Sequence, residues 1–407
     1  MTRATFVLVG GGLAAATAAE TLREQGFDGT IRMIAAEAHH PYLRPPLSKE
    51  YLTGAGDRAG IVIHPTEWYA DHAIEIETGT TAAALDHGAH TVTLADGRIL
   101  GYDRLLMATG ASPRRVDAPG ATATGIHSLR TVEDSEGLKA AFAHGDRQVV
   151  IVGAGWIGLE VAAAARGYGN RVTVIGREQI PLAGPLGDEM GTMFRELHES
   201  HGVEFVLSAE VERFTEQGGV VTGIALTDRI VPTELVVVGV GAIPNIQLAA
   251  ASGLECDNGV LADEHLLSSA PDVYVAGDVA NAFHPVIRQR MRNEHWANAI
   301  GTGKIAARSM LGQSAVFDEI PYFYTDQYDL GMEYSGYPTL ARDAELVVRG
   351  DRTTREFIAF WTSRGKVVAG MNVNVWDVHD TIRELIRSQR LVDPTALADP
   401  SVELSAL

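Results

Sequence analysis

The sequence predicts an α/β fold in which two similar parallel-sheet domains precede a smaller α+β domain. Two observations lead to this prediction. The same glycine-rich turn occurs twice, each time between a β-branched run and an alanine-rich stretch, and from about Ile320 the pattern changes to that of antiparallel strands. At 407 residues the chain has the length of two or three domains, and its 46% hydrophobic residues suffice to fill their cores.

The first turn is Gly10-Gly11-Gly12, which follows Val7-Leu8-Val9, and the second is Gly153-Ala154-Gly155, which follows residues 149–152 and continues to Gly158. Strand, glycine turn and helix in this order form a Rossmann unit, whose helix N-terminus presents backbone N–H groups to a pyrophosphate. Two such units predict two bound dinucleotides. The alternative is two glycine turns without a ligand, because a chain with 43 glycines produces such spacings by chance.

The domain order follows from where the strand-like segments fall. Further segments of this kind lie at residues 30–35, 105–107, 171–175, 235–240 and 273–275. The last of these strand-like segments leads into a turn that contains Asp278, and this pattern resembles the first glycine-rich unit. The first domain is therefore predicted to be discontinuous, with the second inserted into it. We therefore predict a first domain of residues 1–111 and 242–319, a second of residues 112–241, and a C-terminal domain of residues 320–407.

The C-terminal domain shows a different pattern. Phe357–Trp361 and Val367–Met371 are predicted to form antiparallel strands, and a helix is predicted over Val378–Arg387. The polar tail after Asp393 is expected to be loose.

Composition restricts the partners and the compartment. A formal net charge of −19 argues against general affinity for nucleic acid or an anionic membrane, and no apolar run reaches the ~18 residues that cross a bilayer. The single cysteine, Cys256, excludes disulfides within the chain and a zinc site of the multi-cysteine kind, so we expect no metal and a cytoplasmic location. The apolar stretch after Arg3 could be a short signal peptide, but Gly10-Gly11-Gly12 interrupts it.

Several ordered motifs resemble a known family. They are Pro41–Lys49 (PYLRPPLSK), Ala108-Thr109-Gly110, Gly277-Asp278 and Glu294–Ala299. Together they are similar to the oxygenase-coupled ferredoxin reductases, which include putidaredoxin reductase, rubredoxin reductase and the reductase components of aromatic dioxygenases. The resemblance spans nearly the whole chain. It implies a fold like that of glutathione reductase, with FAD in the first Rossmann-like domain and NAD(P) in the second.

The resemblance also implies the FAD contacts. They are Gly10, Gly12, Leu13, Ala14, Ala15, Glu37, Arg44, Lys49, Ala82, Ala108, Thr109, Gly110, Arg130, Gly277, Asp278, Val279 and Trp296. These residue types suit the role: Glu37 follows the second strand, where a carboxylate accepts hydrogen bonds from ribose hydroxyls, and Asp278 is expected to hydrogen-bond the ribityl chain.

The implied NAD(P) contacts are Gly153, Gly155, Ile157, Gly158, Glu160, Arg177, Gly241 and Glu294. One feature departs from the family: where members that prefer NADH carry a carboxylate after the second strand, this chain has Gly176-Arg177. Loss of a carboxylate beside a guanidinium favours the 2′-phosphate, so the sequence leans toward NADPH. The alternative is a solvated Arg177, with Glu178 binding the ribose.

Lys49 and Glu160 are the predicted catalytic residues. By resemblance Lys49 lies beside the flavin, where its ammonium stabilises negative charge on the reduced ring and pairs with Glu160. The alternative is a solvated lysine after a proline turn.

The implied activity is hydride transfer from NAD(P)H to FAD, followed by single-electron transfer to a two-iron two-sulfur ferredoxin or a rubredoxin that feeds a cytochrome P450 or a ring-hydroxylating oxygenase. An acidic ferredoxin would dock on a local basic cluster, for which Arg288, Arg290 and Arg292 are the candidates; the alternative is a solvated loop. The chain is expected to be a monomer or weak dimer. Tyr322 and Tyr324 stand where the family often has tryptophan, which leaves the electron exit route open.

Two rival functions predict different behaviour. An NAD(P)H oxidase or a quinone or dye reductase would consume NAD(P)H rapidly without a protein acceptor, but the thiol expected near Tyr42 is missing. A redox-sensing interaction protein resembling apoptosis-inducing factor would turn over slowly and change its oligomeric state on reduction.

Overall fold

The computed structural model describes residues 3–407, and the chain folds into two compact units. The first unit contains the chain up to Arg44 together with Arg58–Ser112 and Ala242–Glu319. The second contains Pro45–Asp57, Pro113–Gly241 and Ile320–Leu407. Within residues 3–407, no helix combines the length and the apolar character needed to cross a lipid bilayer.

The strands are short and are numbered in chain order. The first eight are β1 (Thr5–Val9), β2 (Thr30–Ile34), β3 (Ile74–Glu77), β4 (Ala82–Asp86), β5 (Thr91–Leu94), β6 (Ile99–Gly101), β7 (Arg104–Met107) and β8 (Ala111–Pro113). The next eight are β9 (Ile126–His127), β10 (Gln148–Val152), β11 (Arg171–Ile175), β12 (Val203–Val206), β13 (Arg213–Gln217), β14 (Val220–Ala225), β15 (Ile230–Pro232) and β16 (Leu235–Val238). The rest are β17 (Ala242–Pro244), β18 (Val260–Ala262), β19 (Val273–Val275), β20 (Ala280–His284), β21 (Gln289–Met291), β22 (Tyr322–Gln327), β23 (Leu330–Gly336), β24 (Glu345–Asp351), β25 (Glu356–Ser363) and β26 (Lys366–Val373).

The helices are numbered in the same way. They are α1 (Leu13–Glu24), α2 (Glu50–Thr53), α3 (Thr66–Asp71), α4 (Val132–Phe142), α5 (Trp156–Gly167), α6 (Ala183–Leu186), α7 (Asp188–Ser200), α8 (Gln247–Ala251), α9 (Trp296–Met310), α10 (Pro338–Ala341), α11 (His379–Ser388) and α12 (Pro394–Ala398).

The first unit is built on a five-stranded sheet in the order β19-β7-β1-β2-β3, and every neighbouring pair in it is parallel. Its strands β1, β7 and β19 are almost entirely buried, as expected where helices cover both faces of a parallel sheet. In register, Val9 lies opposite both Ile34 and Met107, and Met107 lies opposite Val275. The loops that follow these four strands therefore leave from the same edge of the sheet.

The second unit contains a sheet of the same kind, in the order β12-β11-β10-β16-β9 and again all parallel. Val152 lies opposite Ile175 and Val238, so here too the loops after the central strands meet at the carboxyl edge. The Rossmann-like pattern predicted for both glycine turns is confirmed.

The C-terminal part of the second unit forms an antiparallel sheet in the order β22-β23-β26-β25-β24. Helix α11 packs on β23 and β26 through Ile382, Leu385 and Ile386, which are buried. The predicted antiparallel strands and the predicted helix are confirmed.

The expectation of a loose tail after Asp393 is wrong. The Asp393 side chain caps α12 by accepting a hydrogen bond from the Thr395 N–H. The Arg349 guanidinium on β24 donates hydrogen bonds to the carbonyls of Asp399 and Val402, at 2.6 and 2.5 Å. A single arginine thus satisfies several backbone acceptors of the tail, which local composition does not reveal.

Candidate functional site

The first glycine turn forms an open cradle at the carboxyl end of β1. Gly10 has a φ of +143°, and a Cβ atom there would lie 2.1 Å from the carbonyl oxygen of Ala108, so only glycine fits. Gly12 is the N-cap of α1, and no side chain caps this helix. A Cβ atom at Gly12 would meet nothing within 4 Å. The helix N-terminus therefore faces open space in the first unit, which suits the approach of a pyrophosphate.

Small residues bring neighbouring elements close to this cradle. Ala14 and Ala15 on α1 are buried, and a Cβ atom at Gly303 on α9 would lie 2.6 Å from the carbonyl oxygen of Ala14. Gly277, which follows β19, has a φ of +75° and donates its N–H to the Thr302 hydroxyl. Leu13 at the start of α1 is half-buried.

The loops after β2 and β7 add polar groups at the same edge of the sheet. Glu37 accepts hydrogen bonds from the Tyr42 hydroxyl and from the Arg44 guanidinium, each at 2.5 Å. Burial by itself lowers the pKa of Arg44, but the charges of Tyr42 and Glu37 outweigh it and the net effect raises that pKa. The guanidinium therefore stays charged beside Glu37.

Ala108-Thr109-Gly110 and Asp278 complete this edge. Thr109 exchanges two hydrogen bonds with Asn245: its hydroxyl donates to the Asn245 carbonyl at 2.8 Å, and its carbonyl accepts from the Asn245 amide at 2.9 Å. Asp278 and Val279, in the turn after β19, are buried. The structure thus brings together the predicted residues on the loops after β1, β2, β7 and β19.

Other predicted FAD contacts lie elsewhere. Ala82 begins β4 in a separate three-stranded sheet, and Trp296 begins α9 with 37% of its surface exposed. Lys49 and Arg130 belong to the second unit.

The second glycine turn repeats the geometry of the first. Gly153 has a φ of +115°, and a Cβ atom there would lie 2.3 Å from the Gly239 carbonyl oxygen. At Gly158 a Cβ atom would lie 2.0 Å from the Gly153 carbonyl oxygen, whereas at Gly155, the uncapped N-cap of α5, it would meet nothing within 4 Å. Each unit therefore holds a cradle that fits a dinucleotide.

The remaining predicted NAD(P) contacts differ in their surroundings. Ile157 is exposed on the first turn of α5, and Gly241 is exposed with a φ of +99°. Arg177, two residues after β11, forms an ion pair with Glu210 at 2.5 Å, and both side chains are largely exposed. The sequence did not single out Glu210. Glu294 belongs to the first unit, where it pairs with Arg292 at 2.6 Å.

Lys49 and Glu160 form a buried ion pair in the second unit. The Lys49 Nζ lies 2.9 Å from Glu160 Oε1, and their side chains are 8% and 3% exposed. Ser48 donates to Glu160 Oε2, and Thr325 donates to Glu160 Oε1, each at 2.5 Å. The Tyr324 ring lies under the ammonium, 5.3 Å from Nζ to the ring centroid. Ser48 and Thr325 were not predicted as site residues.

Lys49 and Glu160 also influence the titration of neighbouring acidic groups. Burial raises the pKa of the Asp326 carboxyl, an effect that Lys49 opposes and Glu160 and Glu50 reinforce. Burial also raises the pKa of Tyr324 to about 12. Lys49 is thus the single cation among the groups that shift Asp326.

The three candidate docking arginines lie on or beside β21 in the first unit. Arg288 and Arg290 are exposed, and Arg290 also donates to the Ala262 and Asn281 carbonyls. The Arg292 side chain is 13% exposed and donates to the Asp278 carbonyl. Among residues 3–407, no group of three or more His, Cys, Asp or Glu side chains could hold a metal ion.

Comparison with known proteins identifies the family to which this chain belongs. The family model described as pyridine nucleotide-disulphide oxidoreductase matches residues 4–303, and the model described as reductase C-terminal matches residues 322–407. The chain belongs to the pyridine nucleotide-disulphide oxidoreductase family. The predicted fold class and the resemblance noted from the sequence are confirmed.

Individual relatives cover almost the whole chain. The probable ferredoxin reductase CtmF of Castellaniella defragrans is 39% identical over 98% of this chain and 98% of its own. The crystal structure of the ferredoxin reductase for the CYP199A2 system from Rhodopseudomonas palustris superposes with a TM-score of 0.95, at 33% identity, over 99% of both chains. The covalent putidaredoxin reductase–putidaredoxin complex gives a TM-score of 0.95 at 31% identity, over 99% of this chain and 98% of that one.

Because Lys49 and Glu160 form a buried ion pair, removing one charge should destabilise the protein more than removing both. Glu160→Leu leaves a buried ammonium without its partner and should lower the free energy of unfolding by about 3–5 kcal/mol. The double variant Lys49→Met/Glu160→Leu removes both charges and should recover most of that loss. Urea unfolding followed by circular dichroism measures both; a double variant as unstable as Glu160→Leu would contradict the prediction.

Because His198 on α7 is buried, the free energy of unfolding is expected to fall as the pH drops below neutrality. Burial lowers its pKa from 6.5 to about 4, so between these values the unfolded chain binds more protons than the folded one. The contribution of His198 should therefore fall by about 2 kcal/mol as the pH drops from 7 to 5. His198→Gln should show a correspondingly weaker loss of urea resistance between these pH values. Equal losses in the two proteins would show that His198 does not titrate in this window.

Proposed function

We propose that this chain is an FAD-dependent reductase that takes hydride from NAD(P)H and passes single electrons to an iron–sulfur protein of an oxygenase system. The observation that carries the proposal is the pair of glycine cradles, one in each unit, each open at an uncapped helix N-terminus. The relatives described above are ferredoxin reductases, which supports the function predicted from the sequence.

The residues of the first unit suit FAD, and we retain the predicted contacts as a proposal. The N–H groups at the start of α1 would hold the pyrophosphate, the Glu37 carboxylate the adenosine ribose, and Asp278 the ribityl chain. When bound, FAD supplies the chemistry that links a two-electron hydride donor to a one-electron acceptor.

In the second unit, the cradle at Gly153, Gly155 and Gly158 would hold the pyrophosphate of the nicotinamide nucleotide. We propose that Lys49 and Glu160 act beside it as the catalytic pair. Glu160 holds the ammonium in one position, and a fixed positive charge stabilises negative charge that develops near it without any rearrangement. We also retain, as part of this proposal, the three domains predicted from the sequence: residues 1–111 with 242–319, residues 112–241 and residues 320–407.

We also propose that Arg177 allows NADPH to bind. Gly176 itself carries no carboxylate, although Glu178 Oε2 would lie 3.2 Å from a Cβ atom at Gly176, and the Arg177 guanidinium is largely exposed. Its ion pair with Glu210 competes with the phosphate. On this view the preference for NADPH over NADH depends on how firmly Glu210 holds Arg177.

The protein acceptor is an iron–sulfur protein, and we propose that it is an acidic ferredoxin. The exposed Arg288 and Arg290 would attract its carboxylates, whereas Arg292 would shape the loop through Asp278 and Glu294. Tyr322 and Tyr324 leave the path of the electrons open. A cytoplasmic location and a monomeric or weakly dimeric state complete the proposal.

Anaerobic stopped-flow absorbance tests the function directly. The protein loaded with FAD should lose its yellow colour when mixed with NADH or NADPH, and a two-iron two-sulfur ferredoxin should restore it. Reduction by the nucleotide without reoxidation by any ferredoxin or rubredoxin would contradict the proposed acceptor.

Glu210→Gln tests the basis of the nucleotide preference. Removing the carboxylate charge frees Arg177, so kcat/KM with NADPH should rise about two- to fivefold while kcat/KM with NADH stays nearly constant. Glu212→Gln, which also neutralises an exposed carboxylate nearby in sequence, is the matched control. The same NADPH-to-NADH ratio in both variants would refute the role of Glu210.

A further inference from the structure

We propose that Thr325, Gln327 and His198 are positioning residues that hold the Glu160 carboxylate through one directional chain of hydrogen bonds. The inference rests on the proposed function, because it assigns these residues a role in the reaction for which Glu160 holds Lys49. None of them was predicted as a site residue from the sequence.

The hydrogen-bond chain is continuous and buried. Thr325 Oγ1 lies 2.5 Å from Glu160 Oε1, Gln327 Nε2 lies 3.1 Å from Thr325 Oγ1, and His198 Nε2 lies 2.7 Å from Gln327 Oε1. The Tyr328 hydroxyl lies 3.3 Å from His198 Nδ1. Glu160, His198, Thr325 and Gln327 are each no more than 4% exposed, so water does not compete for these bonds.

One strand and two helices supply the residues of the hydrogen-bond chain. Residues two apart on a strand point to the same side, so Thr325 and Gln327 share one face of β22 while Asp326 lies on the other. Glu160 comes from α5 and His198 from α7. The chain therefore links the antiparallel sheet to two helices of the same unit.

The chemistry of the groups allows one direction only. An ionised carboxylate accepts but cannot donate, so the Thr325 hydroxyl gives its hydrogen to Glu160. Thr325 then accepts from the Gln327 amide nitrogen, which leaves the Gln327 oxygen to accept from His198. His198 must carry its hydrogen on Nε2, and its Nδ1 is free to accept from Tyr328. Every donor hydrogen points toward Glu160.

Neutral His198 completes the outer end of the hydrogen-bond chain, because only a neutral ring lets Nδ1 accept from Tyr328 while Nε2 donates to Gln327. Burial lowers its pKa to about 4, an effect that the hydrogen bond with Gln327 opposes and the neighbouring His201 reinforces. His201 stacks on the Tyr328 ring with centroids 3.7 Å apart, which fixes the outer end of the chain. At neutral pH the chain therefore keeps a single direction.

The consequence for the site is geometric. Glu160 Oε1 is shared by Lys49 and Thr325, whereas Oε2 is held by Ser48. When Thr325 does not donate, the carboxylate loses one of the two hydroxyl donors that fix its orientation, and a shift of Oε1 moves the Lys49 ammonium with it. A small displacement of a charged group in an active site lowers the rate substantially.

Substitutions at Thr325 test the inference by stopped-flow reduction of the FAD-loaded protein with the preferred nucleotide. Thr325→Val keeps the shape but removes the donor, and should slow the reduction about 10- to 100-fold. Thr325→Ser keeps the donor and should restore most of the rate. Thr362→Val is the matched control: Thr362 is a buried threonine of the same sheet whose hydroxyl bonds to the Glu345 carbonyl, and its loss should leave the rate nearly unchanged.

Gln327→Met tests the middle of the hydrogen-bond chain. The thioether keeps a similar size but neither donates to Thr325 nor offers His198 the amide oxygen. Reduction should therefore be slower than in wild type, and a wild-type rate would exclude a positioning role for Gln327.

A spectroscopic measurement tests the chain without any turnover. In protein labelled with ¹⁵N-histidine, the His198 signal, identified by its absence in His198→Gln, should show the Nε2–H tautomer at pH 7. The Nδ1–H tautomer would overturn the inference, because Nε2 would then have no hydrogen to donate to Gln327, and so would Thr325→Val being reduced as fast as Thr362→Val. If instead neither nucleotide reduces the wild-type protein, the proposed function fails. The His198 tautomer then still decides whether the hydrogen-bond chain exists.

Discussion

The close approach of backbone to backbone at Gly10 and Gly153 is the constraint on which the rest of this structure depends. In both units a glycine at positive φ lies so near a neighbouring carbonyl that a Cβ atom would overlap it. This contact allows the loop to turn sharply from the end of a parallel strand into a helix. The helix then begins at the carboxyl edge of the sheet with its N-terminus uncovered. Both proposed dinucleotide sites follow from that geometry.

The buried Lys49–Glu160 pair poses a different physical problem. Removing two charges from water costs free energy, which is recovered only when the geometry is good and the remaining lone pairs are satisfied. Here Lys49 and Thr325 share one carboxylate oxygen and Ser48 holds the other. Such an arrangement is a poor means of gaining stability, since well-packed apolar residues would serve as well. It is a good means of holding a positive charge in one place, which is what electrostatic catalysis requires.

Satisfying that carboxylate also connects distant parts of the second unit. Thr325 is 165 residues from Glu160, and His198 is 129 residues from Gln327. Through these contacts the C-terminal sheet contributes to the proposed site, whose glycine cradle lies in a different segment of the sequence. Tyr322 and Tyr324 lie on one face of β22, and Thr325 and Gln327 lie on the other, because side chains alternate along a strand. One strand therefore carries both tyrosines and the residues proposed to position Glu160.

The sequence by itself determined the features that depend on local order: two strand–glycine–helix units, the antiparallel C-terminal strands and the family. These could be predicted because residue periodicity and glycine turns act over a few residues. The tertiary structure alone decided the contacts of Glu160 with Ser48 and Thr325, the pairing of Arg177 with Glu210, and the docking of the tail by Arg349. His198 lies among Met190, Phe194 and Leu197 on the buried face of α7, so in the sequence it is indistinguishable from an ordinary core residue. Its partner Gln327 lies on strand β22, 129 residues away, and no pattern within either segment specifies that they meet.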